Sequence, residues 1–188
     1  LEGFETTGSK IDIAFCHSTI GIIYNHLNNY PKALESLQQS AKLLREEGHS
    51  QESTMYLNMA RIYGERKQYD KAQEYLTQAN AKAVEHGNQL LQTYCAFNMA
   101  TLKLETGAPT EGRKLLDSAL VLAISVNDRM MVGRIYGSIG NCFNDLKQHD
   151  SARHYLQLAI DFNERIGNER SRALALMALS NTYRETGE

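Results

Sequence analysis

Apolar residues recur at spacings of three and four along almost the whole chain, which is the period of an amphipathic helix and not the alternation of a β-strand. The pattern also returns on a longer scale, after 39 or 40 residues. The aligned segments are "STIGIIYNHLNNYPKALESLQQSAKLL" from Ser18, "LNMARIYGERKQYDKAQEYLTQANAKA" from Leu57, "FNMATLKLETGAPTEGRKLLDSALVLA" from Phe97 and "GSIGNCFNDLKQHDSARHYLQLAIDFN" from Gly137, with a half copy, "MALSNTYRETGE", from Met177. The chain is therefore built of internal repeats.

Each repeat carries large and small residues in the same order. An apolar anchor is followed by a small residue, and an aromatic residue comes three positions later in four of the five copies. The anchors are Ile20, Met59, Met99, Ile139 and Leu179; the small residues are Gly21, Ala60, Ala100, Gly140 and Ser180; the aromatic position holds Tyr24, Tyr63, Lys103, Phe143 and Tyr183. A second small position holds Ala33, Ala72, Gly112 and Ala152.

The two apolar stripes of each repeat predict two helices of about 16 to 18 residues. The second helix of each repeat is expected to stop at Gly48, Gly87, Asn127 and Gly167, where glycine or asparagine accepts a left-handed backbone conformation. The predicted divisions are 1–8, the end of a preceding repeat; 9–48, 49–87, 88–127 and 128–167, four repeats; and 168–188, the first helix of a fifth repeat or a closing helix. We expect one solenoid domain that is a fragment of a longer protein.

A single helix pair of this size cannot bury its apolar face, so neighbouring pairs must stack. The sequence therefore predicts an all-α solenoid of stacked antiparallel helix pairs. The spacing of small residue, aromatic and alanine resembles the tetratricopeptide repeat, best at "IGIIYNHLNNYPKALESL" and "SIGNCFNDLKQHDSARHYLQLA", whereas the third copy departs from it at Lys103 and Gly112. The repeat length resembles the lengthened, 40-residue variety found in bacterial Rap-type regulators and in animal spindle-orientation adaptors. The resemblance implies a right-handed superhelix.

The resemblance also implies that the first helices line a concave groove that holds a protein or peptide ligand. The predicted groove face includes the residues two and five positions on either side of each anchor, and the position five after it holds Asn25, Gly64, Leu104, Asn144 and Arg184. The residue immediately before each anchor, such as Asn58 or Asn98, flanks the same face. We expect the ligand to contact Asn58, Arg61, Tyr94, Phe97, Asn98, Thr101, Arg134, Gly137, Asn141 and Asn181. Asparagine amides can pair with a peptide backbone, the aromatic rings can hold apolar side chains, and the arginines can bind a carboxylate. The alternative is that these asparagines cap turns or are only solvated.

Three glycines in "VGRIYGSIGNCF" could belong to a phosphate-binding loop or to a tightly packed helix. No predicted strand precedes them and the Gly-x-Gly turn is missing, so the helix is favoured. In this register Gly140 lets the paired helix approach, Gly133 lies near the helix start, where flexibility costs less, and Gly137 leaves a gap in the groove wall.

Composition and charge change this interpretation little. The net charge is −2, which gives no reason to expect nucleic acid as a partner. No apolar run is long enough to cross a membrane and no signal peptide is evident, so we expect a cytoplasmic location. Cys16, Cys95 and Cys142 are expected to be buried free thiols in a reducing compartment.

No motif indicates catalysis, a metal site or a cofactor. The histidines lack zinc spacing, and four acidic residues near the first-helix ends, at Glu65, Glu105, Asp145 and Glu185, are expected to form a solvated row. Our first interpretation is a non-catalytic interaction scaffold that binds a peptide or extended protein segment. The alternative is a sensory segment of a bacterial signalling protein, such as a peptide-sensing regulator, a histidine kinase or a transcription regulator, that controls an output domain outside this chain. We also expect end-to-end self-association through apolar repeat ends.

Overall fold

The computed structural model describes residues 9–187, and in this range the regular structure consists of helices without strands. The nine helices are α1 (Lys10–His26), α2 (Tyr30–Glu46), α3 (Glu52–Glu65), α4 (Tyr69–Glu85), α5 (Gln89–Glu105), α6 (Pro109–Ser125), α7 (Arg129–Asp145), α8 (His149–Arg165) and α9 (Glu169–Thr186). The prediction of an all-α fold made of helix pairs is confirmed. Residues 1–8, predicted to end a preceding repeat, lie outside the described residues, and the other repeat boundaries stay predictions.

The chain divides into two compact units between Leu91 and Gln92. We call the described parts the N-terminal unit (9–91) and the C-terminal unit (92–187). In the N-terminal unit α1 packs against α2, α2 against α3, and α3 against α4. In the C-terminal unit α6 packs against α7, α7 against α8, and α9 against both α8 and α7. First and second helices therefore alternate as neighbours in each unit.

All four predicted second-helix stops are confirmed. Gly48, Gly87, Asn127 and Gly167 have φ values of 64°, 63°, 55° and 71°. The first helices end in the same conformation, at Asn28, Lys67, Gly107, Lys147 and Gly187. Sequence reasoning missed the two lysines, because lysine seldom occupies this region of backbone space. The surrounding turns hold it there: the N–H of Gln68 donates to the carbonyl of Tyr63 and that of Gln148 to Phe143, both at 2.9 Å.

A buried carboxylate links three helices of the N-terminal unit. The side chain of Glu52, at the start of α3, is 4% exposed and lies 3.0 Å from the Arg45 guanidinium on α2 and 3.9 Å from the Lys82 ammonium on α4. The Tyr56 hydroxyl donates to the same carboxylate at 2.6 Å. Burial and this carboxylate together raise the pKa of Tyr56 to about 12. Without these partners a carboxylate at this depth would be strongly destabilising.

Close packing between α7 and α8 explains two of the three glycines. A Cβ added at Gly140 would lie 2.6 Å from Cγ of Leu156, which agrees with the predicted close approach of the paired helix. The interpretation of Gly133 was wrong, because Gly133 is buried and a Cβ there would lie 2.8 Å from Cγ of Asn163. The fully buried Asn163 amide donates to the carbonyls of Ala159 (2.7 Å) and Gly133 (3.2 Å). Gly133 is thus required by packing and not merely tolerated near a helix start.

The third repeat departs from the repeat pattern at Lys103, and a second change on the neighbouring helix accompanies it. Lys103 stands where other copies have an aromatic residue, and it forms an ion pair with Glu111 at 3.2 Å. At the equivalent positions of the second copy, the Lys71 ammonium lies 5.3 Å from the centre of the Tyr63 ring. In both repeats a lysine therefore joins the two helices of the pair, but it lies on the first helix in the third repeat and on the second helix in the second repeat.

Gly112 makes room for a larger neighbour on α5. A Cβ added at Gly112 would lie 2.7 Å from Cδ2 of Leu104, so the Leu104 side chain occupies the space that Ala33, Ala72 and Ala152 fill in the other copies. Leu104 was expected on the groove face. It packs against α6 instead, because an apolar side chain at this position gains more from burial than from exposure.

No helix in the described range is both long and apolar enough to cross a membrane.

Candidate functional site

The predicted contact residues lie on first helices of both units. Asn58 and Arg61 lie on α3 of the N-terminal unit, whereas Tyr94, Phe97, Asn98 and Thr101 on α5, Arg134, Gly137 and Asn141 on α7, and Asn181 on α9 lie in the C-terminal unit.

On α5 most of the predicted polar groups are already used within the protein. Nδ2 of Asn98 donates to the carbonyl of Tyr94 at 2.7 Å, and Oγ1 of Thr101 donates to the carbonyl of Phe97 at 3.0 Å. Both bonds join residues four apart on the same helix, a common local use of such side chains. Asn98 and Thr101 thus keep only part of their hydrogen-bonding capacity for a ligand.

The two aromatic residues of α5, Tyr94 and Phe97, make contacts inside the C-terminal unit that leave little of them for a ligand. Phe97 is 8% exposed and belongs to the core of the C-terminal unit, so the expected role as an exposed apolar platform is wrong for this ring. The Tyr94 hydroxyl donates to Oδ2 of Asp128 at 3.2 Å, and Oδ1 of Asp128 accepts from the Met131 N–H at 3.0 Å at the start of α7. Burial, helped by the Asp128 carboxylate, raises the pKa of Tyr94. These contacts fix α5 against the start of α7.

Arg134 lies over the ring of Phe97, with 4.8 Å between the guanidinium carbon and the ring centre. The residue is exposed and forms no ion pair with any residue in the described part of the chain. A cation–π contact therefore positions the side chain while its N–H donors remain available.

Three of the predicted contact residues are open to a ligand: Gly137, Asn141 and Asn181. A Cβ added at Gly137 would meet only the Cβ of Ala159, at 4.0 Å, so the space above this glycine is free. Asn141 and Asn181 are exposed and occupy the same repeat position on α7 and α9. Among the described residues neither amide has a hydrogen-bond partner. We call Arg134, Gly137, Asn141, Met177 and Asn181 the first-helix surface.

Asn144, another predicted groove position, has a different role. Its Nδ2 lies 2.8 Å from Oγ1 of Thr182 on α9, and Thr182 is 1% exposed. The pair joins α7 to α9 within the C-terminal unit. Sequence reasoning missed this bond, although Thr182 stands where the preceding repeat has Cys142, and a polar residue at a buried position was the available signal.

In the N-terminal unit Asn58 is half-buried and Arg61 is exposed, and neither side chain has a hydrogen-bond or ion-pair partner among the residues described. They are the counterparts of Asn98 and Asn141. The unit therefore presents one amide and one cation on the same helix face, three residues apart.

The described residues contain no group of His, Cys, Asp and Glu that could hold a metal ion. Burial raises the pKa of the Cys95 thiol to about 12 and also raises the pKa of Cys142. At neutral pH both thiols are therefore protonated and poorly nucleophilic. Cys16 is only half-buried, which corrects the expectation that all three cysteines are buried.

Comparison with known proteins identifies sequence similarity in two segments. A family model described as tetratricopeptide repeat matches residues 12–81, and a second model with that description matches residues 133–165. The first covers α1 to most of α4, and the second covers most of α7 and all of α8. No curated protein matches the sequence significantly.

Several solved structures share the fold. A Rap protein in complex with Competence and Sporulation Factor has a TM-score of 0.79 at 18% identity, over 99% of this chain and 52% of that one. Aspartyl phosphate phosphatase F from Bacillus subtilis has a TM-score of 0.85 at 18% identity, over 99% and 50%. A Signal Transduction ATPase with Numerous Domains from Pyrococcus horikoshii, which has a tetratricopeptide repeat sensor, has a TM-score of 0.84 at 16% identity, over 97% and 28%. The chain thus spans about half of the first two proteins.

Proposed function

Because this chain is a tetratricopeptide repeat protein, we propose that it is a non-catalytic interaction module that binds an extended peptide segment on its first helices. The observation that carries the proposal is the pair of exposed amides at Asn141 and Asn181. Each can donate to a peptide carbonyl and accept from a peptide N–H, and neither has a competing partner among the described residues. The structural similarity to the Rap conjugation gene regulator of the plasmid pLS20, which was solved in complex with the Phr* peptide and has a TM-score of 0.68 at 13% identity, supports a peptide as the class of ligand.

The spacing of these amides suits an extended backbone. Neighbouring packed helices lie about 8 to 10 Å apart, and an extended chain advances about 3.3 Å per residue. Amides at the same position of α7 and α9 would therefore contact peptide groups about three residues apart. The proposal for the C-terminal unit also includes Asn98 and Thr101 on α5, which already use part of their hydrogen-bonding capacity within the helix. For the N-terminal unit, taken by itself, it includes Asn58 and Arg61.

A non-catalytic role is supported by the chemistry of the described residues. Burial keeps the thiols of Cys95 and Cys142 protonated, so both are poor nucleophiles. One structural neighbour is named an aspartyl phosphate phosphatase, but identities of 16 to 18% carry the fold and not the reaction. For the same reason, control of an output domain outside this chain is not favoured over simple binding.

Self-association stays a prediction, and one feature of α9 supports it. Leu176 and Tyr183 are 45% and 39% exposed, although their counterparts on α7, Tyr136 and Phe143, pack against rings of α8. The measurement is the mass by light scattering, which should rise above 21.2 kDa with concentration.

The central test uses a displayed library of random peptides about nine residues long, which span about 30 Å when extended. The selected peptides are synthesised and their affinities measured by fluorescence anisotropy. Combining Asn141→Ala with Asn181→Ala should weaken binding about tenfold or more, because two hydrogen bonds of about 1 kcal/mol each are lost. The control is Asn80→Ala, which removes an exposed, unpaired amide from the second helix α4. The proposal fails if no peptide is selected or if the double variant and the control bind equally.

A further inference from the structure

Arg134 is the single charged residue in the middle of the three first helices of the C-terminal unit. The central segments of α5, α7 and α9 are "TYCAFNMAT" (93–101), "GRIYGSIGN" (133–141) and "ALALMALSN" (173–181). All other charged residues of these helices lie in their first or last turns. A ligand that crosses these segments therefore meets one positive charge on an otherwise neutral surface.

This positive charge is held in place but not neutralised. The guanidinium rests 4.8 Å above the Phe97 ring, which is itself fixed in the core. The carboxylate of Asp128, at the start of the same helix, is occupied by the Tyr94 hydroxyl and the Met131 N–H. A guanidinium positioned by an aromatic ring loses little conformational freedom when it binds a carboxylate, so the interaction is stronger than with a mobile side chain.

An apolar surface lies at the same repeat positions on the neighbouring helix. Leu174 and Met177 on α9 are the counterparts of Arg134 and Gly137, and they are 59% and 64% exposed. Because α7 and α9 pack directly against each other, this surface lies about 8 to 10 Å from the cation. Gly137 leaves the backbone of α7 open beside it.

We propose that the peptide bound by this unit carries an Asp or Glu side chain that pairs with Arg134, and an apolar side chain about three residues away that packs on Leu174 and Met177. The proposal rests on the proposed function. The anion is assigned to a side chain and not to a peptide C-terminus, because predicted contact residues lie on both sides of Arg134, with Asn98 and Thr101 on α5 and Asn181 on α9. The peptide therefore continues in both directions.

The experiment compares peptides selected from the displayed random library by the unchanged chain, by Arg134→Gln and by Arg134→Glu. The unchanged chain should enrich Asp or Glu, Arg134→Gln should lose that preference while still selecting peptides, and Arg134→Glu should favour Lys or Arg. The control, Arg129→Gln, removes an exposed arginine from the first turn of the same helix and should keep the acidic preference. Circular dichroism checks that each variant is folded.

The affinities of synthetic peptides show whether an acidic side chain or the C-terminal carboxylate pairs with Arg134. Changing the selected acidic residue to its amide should weaken binding about tenfold or more, whereas amidating the C-terminus should have little effect. A selected pool without acidic preference, or an acidic preference that survives in Arg134→Gln, overturns this inference and leaves the proposed function intact. Loss of binding only on amidation also overturns it, because the α-carboxylate would then be the anion. Failure to select any peptide overturns both proposals.

Discussion

The substitution Gly137→Ala should stabilise the protein, in contrast to the neighbouring glycine. Alanine is about 1 kcal/mol more favourable than glycine in a helix interior. The added Cβ would meet only Ala159 Cβ at 4.0 Å, which is an ordinary contact without overlap. We therefore expect a gain of about 0.5 to 1 kcal/mol, equivalent to a rise in Tm of about 1 to 4 °C for a chain of this size.

The matched control is Gly133→Ala, one helical turn earlier. Its Cβ would lie 2.8 Å from Cγ of Asn163, and that side chain cannot retreat without breaking its bonds to Ala159 and Gly133. Overpacking costs about 1 to 3 kcal/mol and a lost hydrogen bond about 1 kcal/mol, which exceeds the gain in helix propensity. Gly133→Ala should therefore lower the Tm, although the two substitutions are chemically identical.

Thermal and urea unfolding, followed by the helical circular dichroism signal, measure both effects. If the free space beside Gly137 also admits a ligand, Gly137→Ala should weaken binding of the selected peptides while it raises the Tm. That combination separates a functional glycine from a packing glycine. A lower Tm for Gly137→Ala, or equal shifts for the two variants, would refute the reasoning from local space.

Two further results are expected. Glu52→Gln should destabilise the N-terminal unit by about 2 kcal/mol, because the Tyr56 hydroxyl and the neighbouring cations lose a buried charged acceptor; an unchanged urea midpoint would contradict this. Alkylation of the folded protein at pH 8 should modify Cys16 first, because burial raises the pKa of Cys95 and Cys142. Mass spectrometry of the digested protein should find Cys95 and Cys142 labelled only after unfolding. Equal labelling of all three cysteines would show that the buried thiols are accessible.

The local parts of the fold were determined by the sequence itself. Helix periodicity and the stops at Gly48, Gly87, Asn127 and Gly167 depend on residues within one or two turns of each other. Such information is present in any short window of the chain, because hydrophobic spacing and left-handed propensity act locally. The close approach at Gly140 was also predictable, since the small residue recurs in every repeat.

The tertiary structure decided which of the predicted surface residues are free. Phe97 and Leu104 were assigned to the groove by their position, yet they pack into the C-terminal unit. Asn144 was expected on the same face and is bonded to Thr182, 38 residues away. Helical position specifies a direction for each side chain, but the atoms that fill that direction belong to another helix. That helix is the next one for Leu104, which packs beside Gly112, and lies 38 residues away for Asn144.

The glycines of α7 illustrate this division. The sequence determined that Gly133, Gly137 and Gly140 lie in one helix, because the apolar period runs through them without a strand or a turn. Only the packing of α8 decided that Asn163 and Leu156 fill the space beside two of them and leave Gly137 open. The physical reason is that a glycine's backbone preference is local, whereas the room for a side chain is set by whatever lies opposite it.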